Sequence, residues 1–86
     1  MKTMTTRTLS EIAFDALACD SLKGDARLYS EAYLKPMTQI DSIHDSFGMD
    51  SGHYIVIYAL SNLRSWRGDD ARRIKAELKE HLSGVK

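Results

Sequence analysis

Apolar residues recur with a helical period through most of the chain. Leu9, Ile12, Ala13, Ala16 and Leu17 stand at i, i+3, i+4, i+7 and i+8, the spacing that gathers side chains on one face of a helix. Thr8-Leu9-Ser10-Glu11 fits a capping box ahead of them, with the threonine hydroxyl accepting from the backbone three residues on and the glutamate reaching back. This first helix is predicted to run to about Asp20, followed by a turn over Ser21 to Gly24. Asp25 then caps a short second helix carrying Leu28, Tyr29, Ala32 and Tyr33.

Pro36 disfavours helical geometry at Lys35, which predicts an end to the second helix near Leu34. Proline suits the first turn of a helix, and Met37, Ile40, Ile43 and Phe47 follow at spacings of three, three and four. A third helix from about Pro36 to Phe47, terminated by Gly48, is expected; one helix kinked at Pro36 is the alternative. Ser51 caps a fourth. Its start, Tyr54-Ile55-Val56-Ile57-Tyr58, has the β-branched and aromatic character of a strand. Val56, Leu60, Leu63 and either Trp66 or Arg67 keep helical spacing, however, and no second strand of like quality exists to pair with it. Gly68 closes this helix. Asp69 caps a fifth with Ala71, Ile74, Leu78 and Leu82 on one face and Gly84 as terminator. Asp69–Arg73 and Arg73–Glu77 are candidate i, i+4 ion pairs within it. The predicted fold is all-α, a compact bundle of four to five short helices ending in a helical hairpin, with Tyr54 to Leu63 as its central segment.

With 86 residues the chain is expected to form one domain over 8–86 behind a frayed tail of residues 1–7. A chain this short buries little surface, which favours self-association, and a homodimer is predicted. One cysteine, Cys19, excludes an intramolecular disulfide and a thiolate metal cluster. The longest apolar run, Tyr54 to Leu60, falls far short of a bilayer span, and no signal-peptide pattern opens the chain. A cytosolic protein without a membrane partner is the expectation. Charged residues balance at 12 basic and 12 acidic, which excludes a uniformly basic nucleic-acid wrapper. The balance hides a polarity: residues 1–63 hold 5 basic and 8 acidic side chains, and residues 64–86 hold 7 basic and 4 acidic.

Reactive constellations are scarce. Asp41, His44 and Asp45 share a local cluster but offer too few convergent ligands for a metal. Cys19 lies in the first amphipathic helix beside Ala16, where a buried thiol is the ordinary outcome. Gly48 to Gly52 lacks the lysine and spacing of a phosphate loop. The expectation is therefore no catalytic residue, no metal and no cofactor, with a small enzyme using Cys19 or His44 as a minority reading. Leu63 to Lys75 is the most informative stretch. It combines Arg64, Arg67, Arg72, Arg73 and Lys75 with Trp66 and a glycine turn. These six side chains are the candidate partner-binding set, a basic patch for phosphate or an acidic protein surface with the indole as anchor. The competing account closes the hairpin core with Trp66 and leaves the arginines as a solvated rim. A recognition helix is disfavoured, because Asp69 and Asp70 stand where it would approach phosphates. Tyr29 and Tyr33, at i, i+4, make either an exposed aromatic pair or a half-buried core edge.

Tyr58-Ala59-Leu60-Ser61-Asn62-Leu63, Trp66-Arg67-Gly68 and the Ala71 to Leu78 helix give residues 41–82 a pattern that resembles small proteins encoded by bacteriophages and other mobile elements. Size and the lack of a catalytic signature are also similar to anti-CRISPR proteins, which occupy a surface of a host nuclease complex. That class has no common fold or motif, so the resemblance assigns no residue a role. It implies a non-catalytic binding protein whose partner is a host or phage protein complex. Nucleic acid bound through the basic edge of the last hairpin is the alternative.

Overall fold

The computed structural model describes residues 7–83, so residues 1–6 of the expected tail and the terminator Gly84 lie outside them. Four helices and a two-stranded sheet are present among the described residues: α1 (Leu9–Ala18), α2 (Gly24–Met37), β1 (Ser46–Phe47), β2 (Asp50–Ser51), α3 (Gly52–Asn62) and α4 (Asp69–Ser83). The mostly helical class is as the periodicity predicts, and the strand alternative for Tyr54 to Tyr58 is replaced by α3. One core joins all four helices, built on Leu9, Ile12, Leu34, Met37, Val56, Leu63, Ile74 and Leu78.

α1 begins with the capping box. The Glu11 backbone N–H donates to Thr8 Oγ1 at 3.2 Å and the Thr8 N–H to Glu11 Oε1 at 2.9 Å. Arg7, assigned by sequence to the tail, is held: its guanidinium donates to both carboxylate oxygens of Glu77 on α4. At the other end of α1, Arg27 of α2 donates to the carbonyls of Leu17 and Leu22, ties down the α1–α2 turn and pairs with Glu31.

α2 departs from expectation in three ways. It starts at Gly24, which has φ +65°, after an N-cap residue Lys23 that makes no side-chain cap; Asp25 sits in the first turn. Its inward face is Ser30, Leu34 and Met37 with Ala26 and Tyr33 packed against the core, while Leu28, Tyr29 and Ala32 are exposed. The small polar Ser30 sits on the buried stripe, with its hydroxyl donating to Arg27 O, so a count of apolar side chains alone picks the wrong face. Pro36 lies in the last turn, and the helix runs through it to Met37.

The third helix expected over 36–47 does not form. Polar side chains capture the backbone there instead: the N–H groups of Asp41 and Ser42 both donate to Asp45 Oδ2, and that of His44 to Ser42 Oγ. Such local bonds compete with the helical ladder. Ile40 and Ile43 still reach the core from this loop, whereas Phe47 is exposed. Gly48 is a hairpin residue with φ +64°, not a helix terminator. It precedes Met49 between β1 and β2, which pair antiparallel as Ser46 with Ser51 and Phe47 with Asp50, and a positive φ at the first of two turn residues suits a primed hairpin turn.

The hairpin delivers the chain into α3 under a tight constraint. Ser51 Oγ accepts from Tyr54 N, Asp45 O from Gly52 N at 2.7 Å, and Ile43 O from His53 N at 3.2 Å. These bonds satisfy the first N–H groups of the helix. α3 packs on α2, α4 and β2 and buries Gly52, Ile55, Val56 and Ala59. It ends at Asn62, earlier than Gly68, because residues 63–68 fold into a linker in which Trp66 N donates to Leu63 O. Gly68, at φ +111°, stands immediately before α4 and its carbonyl accepts from Arg72 N. Asp69 is thus inside the first turn of α4 and not its cap. Ala71, Ile74 and Leu78 are buried as predicted, with Leu82 packed against the core.

Candidate functional site

The linker and α4 sort the five basic residues of 63–75 into two groups. Lys75 turns inward: its ammonium donates to the carbonyls of Trp66 at 2.7 Å and Leu63 at 3.1 Å, closing the end of α3. Burial, then the nearby charges of Lys79 and Arg67, push its pKa below the ordinary lysine value. Arg73 is drawn off towards α1, pairing with Asp15 at 2.7 Å and Asp70 at 2.9 Å. The predicted Asp69–Arg73 and Arg73–Glu77 pairs are replaced by Arg72–Asp69 and Arg73–Asp70 at i, i+3 and by Arg7–Glu77 across the fold.

Arg64, Arg67 and Arg72 remain exposed. Arg64 and Arg67 make no ion pair among the described residues, and Arg72 holds only the exposed Asp69. With Lys75, Gly68 and Ala71 they surround Trp66 in an open cleft of about 260 Å³ whose wall contains no carboxylate. Trp66 is 3% exposed and its indole N–H donates to Ser21 Oγ at 2.9 Å. The ring is a floor locked to the α1–α2 turn and does not project as a stacking surface. Of the six candidate residues, then, four basic ones share the cleft, Trp66 lies beneath them and Arg73 faces α1. The acidic N-terminal part of the chain covers Arg73 alone: Asp15 accepts from both Arg7 and Arg73, and these guanidinium partners hold its carboxyl below the ordinary aspartate range.

A second concave surface escaped the reading by sequence. Tyr33 of α2 and Tyr54 and Tyr58 of α3 line a cleft of about 220 Å³ with Ile55 and Asp50. Tyr54 and Tyr58 stack at 6.2 Å, and Tyr33 meets Tyr58 at 5.5 Å with a 39° tilt. The available signal was the i, i+4 spacing of Tyr54 and Tyr58, hidden inside an apolar run that reads as core. Tyr29, the other half of the pair with Tyr33, is exposed and outside the cleft wall.

The other chemistry is dispersed. Cys19 is buried, and desolvation, followed by the charges of Asp70 and Asp15, pushes its thiol pKa up, away from the thiolate. Asp45 is spent on the 41–45 loop and His44 is exposed. His81 lies with Nε2 2.8 Å from Arg7 O, where it donates and fastens Arg7 to α4. Among the described residues no group of three or more His, Cys, Asp or Glu is placed to hold a metal ion, and no helix is long and apolar enough to cross a membrane. Comparisons of the chain with protein-family models, curated proteins and solved structures give no match.

Proposed function

We propose that this protein is a non-catalytic binding module that occupies an acidic surface of a host protein complex, in the manner of small phage-encoded inhibitors of host defence. One observation carries the reading: in a chain of zero net charge, Arg64, Arg67 and Arg72 converge on a single open cleft with no carboxylate in its wall. A rigid floor of Trp66 and Lys75 lowers the ordering cost of binding, and arginine forks suit carboxylates. The raised thiol pKa of Cys19 and the structural use of Asp45 weigh against the enzyme alternative.

The test is a plaque assay in a bacterial host with an active nuclease-based defence, combined with co-purification of the tagged chain and that nuclease complex. Wild type is expected to raise plaque counts and to bind stoichiometrically; R64E/R67E is expected to lose both while keeping its helical circular dichroism. No effect of the wild-type chain, or an unimpaired double variant, overturns the reading. The cleft also suits phosphate, which keeps nucleic acid as the second reading. Fluorescence anisotropy with labelled DNA and RNA separates the two, since phosphate contacts give an affinity that falls steeply with salt.

A further inference from the structure

Three helix and strand elements contribute to the tyrosine cleft: α2 supplies Tyr33, β2 supplies Asp50, and α3 supplies Ile55 with Tyr54 and Tyr58 one turn apart. No lysine, arginine or histidine lines it. Tyr54 and Tyr58 are 56% and 49% exposed, so water covers much of both rings. Their centroids are 6.2 Å apart, and those of Tyr33 and Tyr58 are 5.5 Å apart. That spacing lets one positive charge lie within the reach of a cation–π contact, about 6 Å, from more than one ring. Among the described residues the Asp50 carboxylate and the three tyrosine hydroxyls have no hydrogen-bond or ion-pair partner, and no unpartnered side-chain polar atom is buried, so these groups are open to a guest.

The wall is held in place before any guest arrives. Pairing with Phe47 fixes Asp50, and α3 packs on α2, which sets Tyr33 against Tyr58. The N–H groups of Gly52, His53 and Tyr54 are taken by Asp45 O, Ile43 O and Ser51 Oγ, so the positive end of α3 is met within the fold. Such preorganisation lowers the ordering cost of binding. The chemistry of the wall then selects the guest. Asp50 repels an anion, and a quaternary ammonium has no N–H to offer the carboxylate or the hydroxyls. A lysine ammonium is strongly hydrated, whereas a guanidinium is weakly hydrated, stacks on aromatic faces and carries five donors in a fork that fits a carboxylate. The cleft is about 220 Å³, smaller than the roughly 300–1,000 Å³ of pockets that enclose a whole small molecule. It suits one side chain of a larger partner.

We propose that the Tyr33–Tyr54–Tyr58 cleft is a receptor for an arginine side chain presented by a partner polypeptide, with the guanidinium stacked on the tyrosine rings and donating to Asp50. The site shares no residue with the basic cleft and stands whether or not that cleft takes an acidic partner.

The test is a titration of the isotope-labelled chain with acetyl-Gly-Arg-Gly-amide, followed by amide chemical shifts, with the Lys and Leu counterparts of the peptide as controls. A single side chain is expected to bind on the order of millimolar, with saturable shifts centred on Tyr33, Asp50, Tyr54 and Tyr58 and with the Arg peptide tighter than both controls. D50N and Y54L/Y58L are expected to lose the saturable shifts while keeping their helical circular dichroism, since all three side chains are exposed. The leucine pair keeps the apolar area and removes the aromatic faces. No saturable shift in the cleft with wild type overturns the proposal, as does a Lys or Leu peptide that binds equally well, or Arg-peptide binding that survives D50N or Y54L/Y58L. The binding-module reading fails separately: R64E/R67E is expected to bind the Arg peptide as wild type does, and loss of that binding would place the arginine site elsewhere and overturn the proposal.

Discussion

Single residues divide here into those that hold the fold and those left exposed, and charge type does not predict which. Lys75 and Arg67 stand on the same basic edge, yet the ammonium of Lys75 is consumed by the carbonyls of Leu63 and Trp66 while Arg67 stays exposed. K75A is expected to cost about 1.5–3 kcal/mol of stability, the range for hydrogen bonds to a charged group, read from urea unfolding; R67A is expected to leave the stability within about 0.5 kcal/mol, as surface changes do. Cys19 gives a second residue-scale expectation. Burial raises its thiol pKa, so at neutral pH its reaction with a disulfide reagent is expected to be slower in the native protein than in denaturant. Equal rates would mean an accessible thiolate.

At the scale of elements, the hairpin and the loop before it govern where α3 starts and hence where Asp50, Tyr54 and Tyr58 stand. A Cβ on Gly52 would lie 2.6 Å from Ser42 O, 2.9 Å from Ile43 Cα and 3.0 Å from Asp45 O, all backbone atoms. G52A must push the loop off the helix start and is expected to cost about 1–3 kcal/mol, the range for overpacking, measured by thermal melting. The loop also explains why a well-spaced apolar series misled: Ile40 and Ile43 are buried, as a helix would bury them, but Ser42 and Asp45 satisfy the backbone locally. The capping box of α1, the Ser51 cap of α3 and the apolar face of α4 were legible, because each depends on neighbours within one or two turns.

At the scale of the fold, ion pairs stitch Arg7 and α1 to α4. Asp15 accepts from Arg7 at 2.9 Å and Arg73 at 2.7 Å, and Glu77 from Arg7 at 2.6 Å. Because the native Asp15 pKa is depressed, its contribution is complete above the unfolded value of about 3.9 and is lost as the pH falls through the lower native value. Thermal melts of wild type and D15N are expected to differ most near neutral pH and to converge only in acid, below the depressed native value of Asp15. A constant gap across that range would remove the network from the account of stability. The same network withdraws Arg73 from the basic cleft.

The sequence by itself determined a mostly helical fold, three of its helix starts or faces, the burial of Trp66 as one of two readings and the clustering of basic residues after position 63. Those features rest on periodicity, caps and composition, which are local. Tertiary structure alone decided that α2 buries Ser30 in place of Leu28, that no helix follows Pro36, that Lys75 and Arg73 are structural, and that Tyr33 joins Tyr54 and Tyr58 around Asp50. Each of these turns on which long-range partner wins a side chain or a backbone group, a competition between contacts distant in sequence that spacing along the chain does not encode.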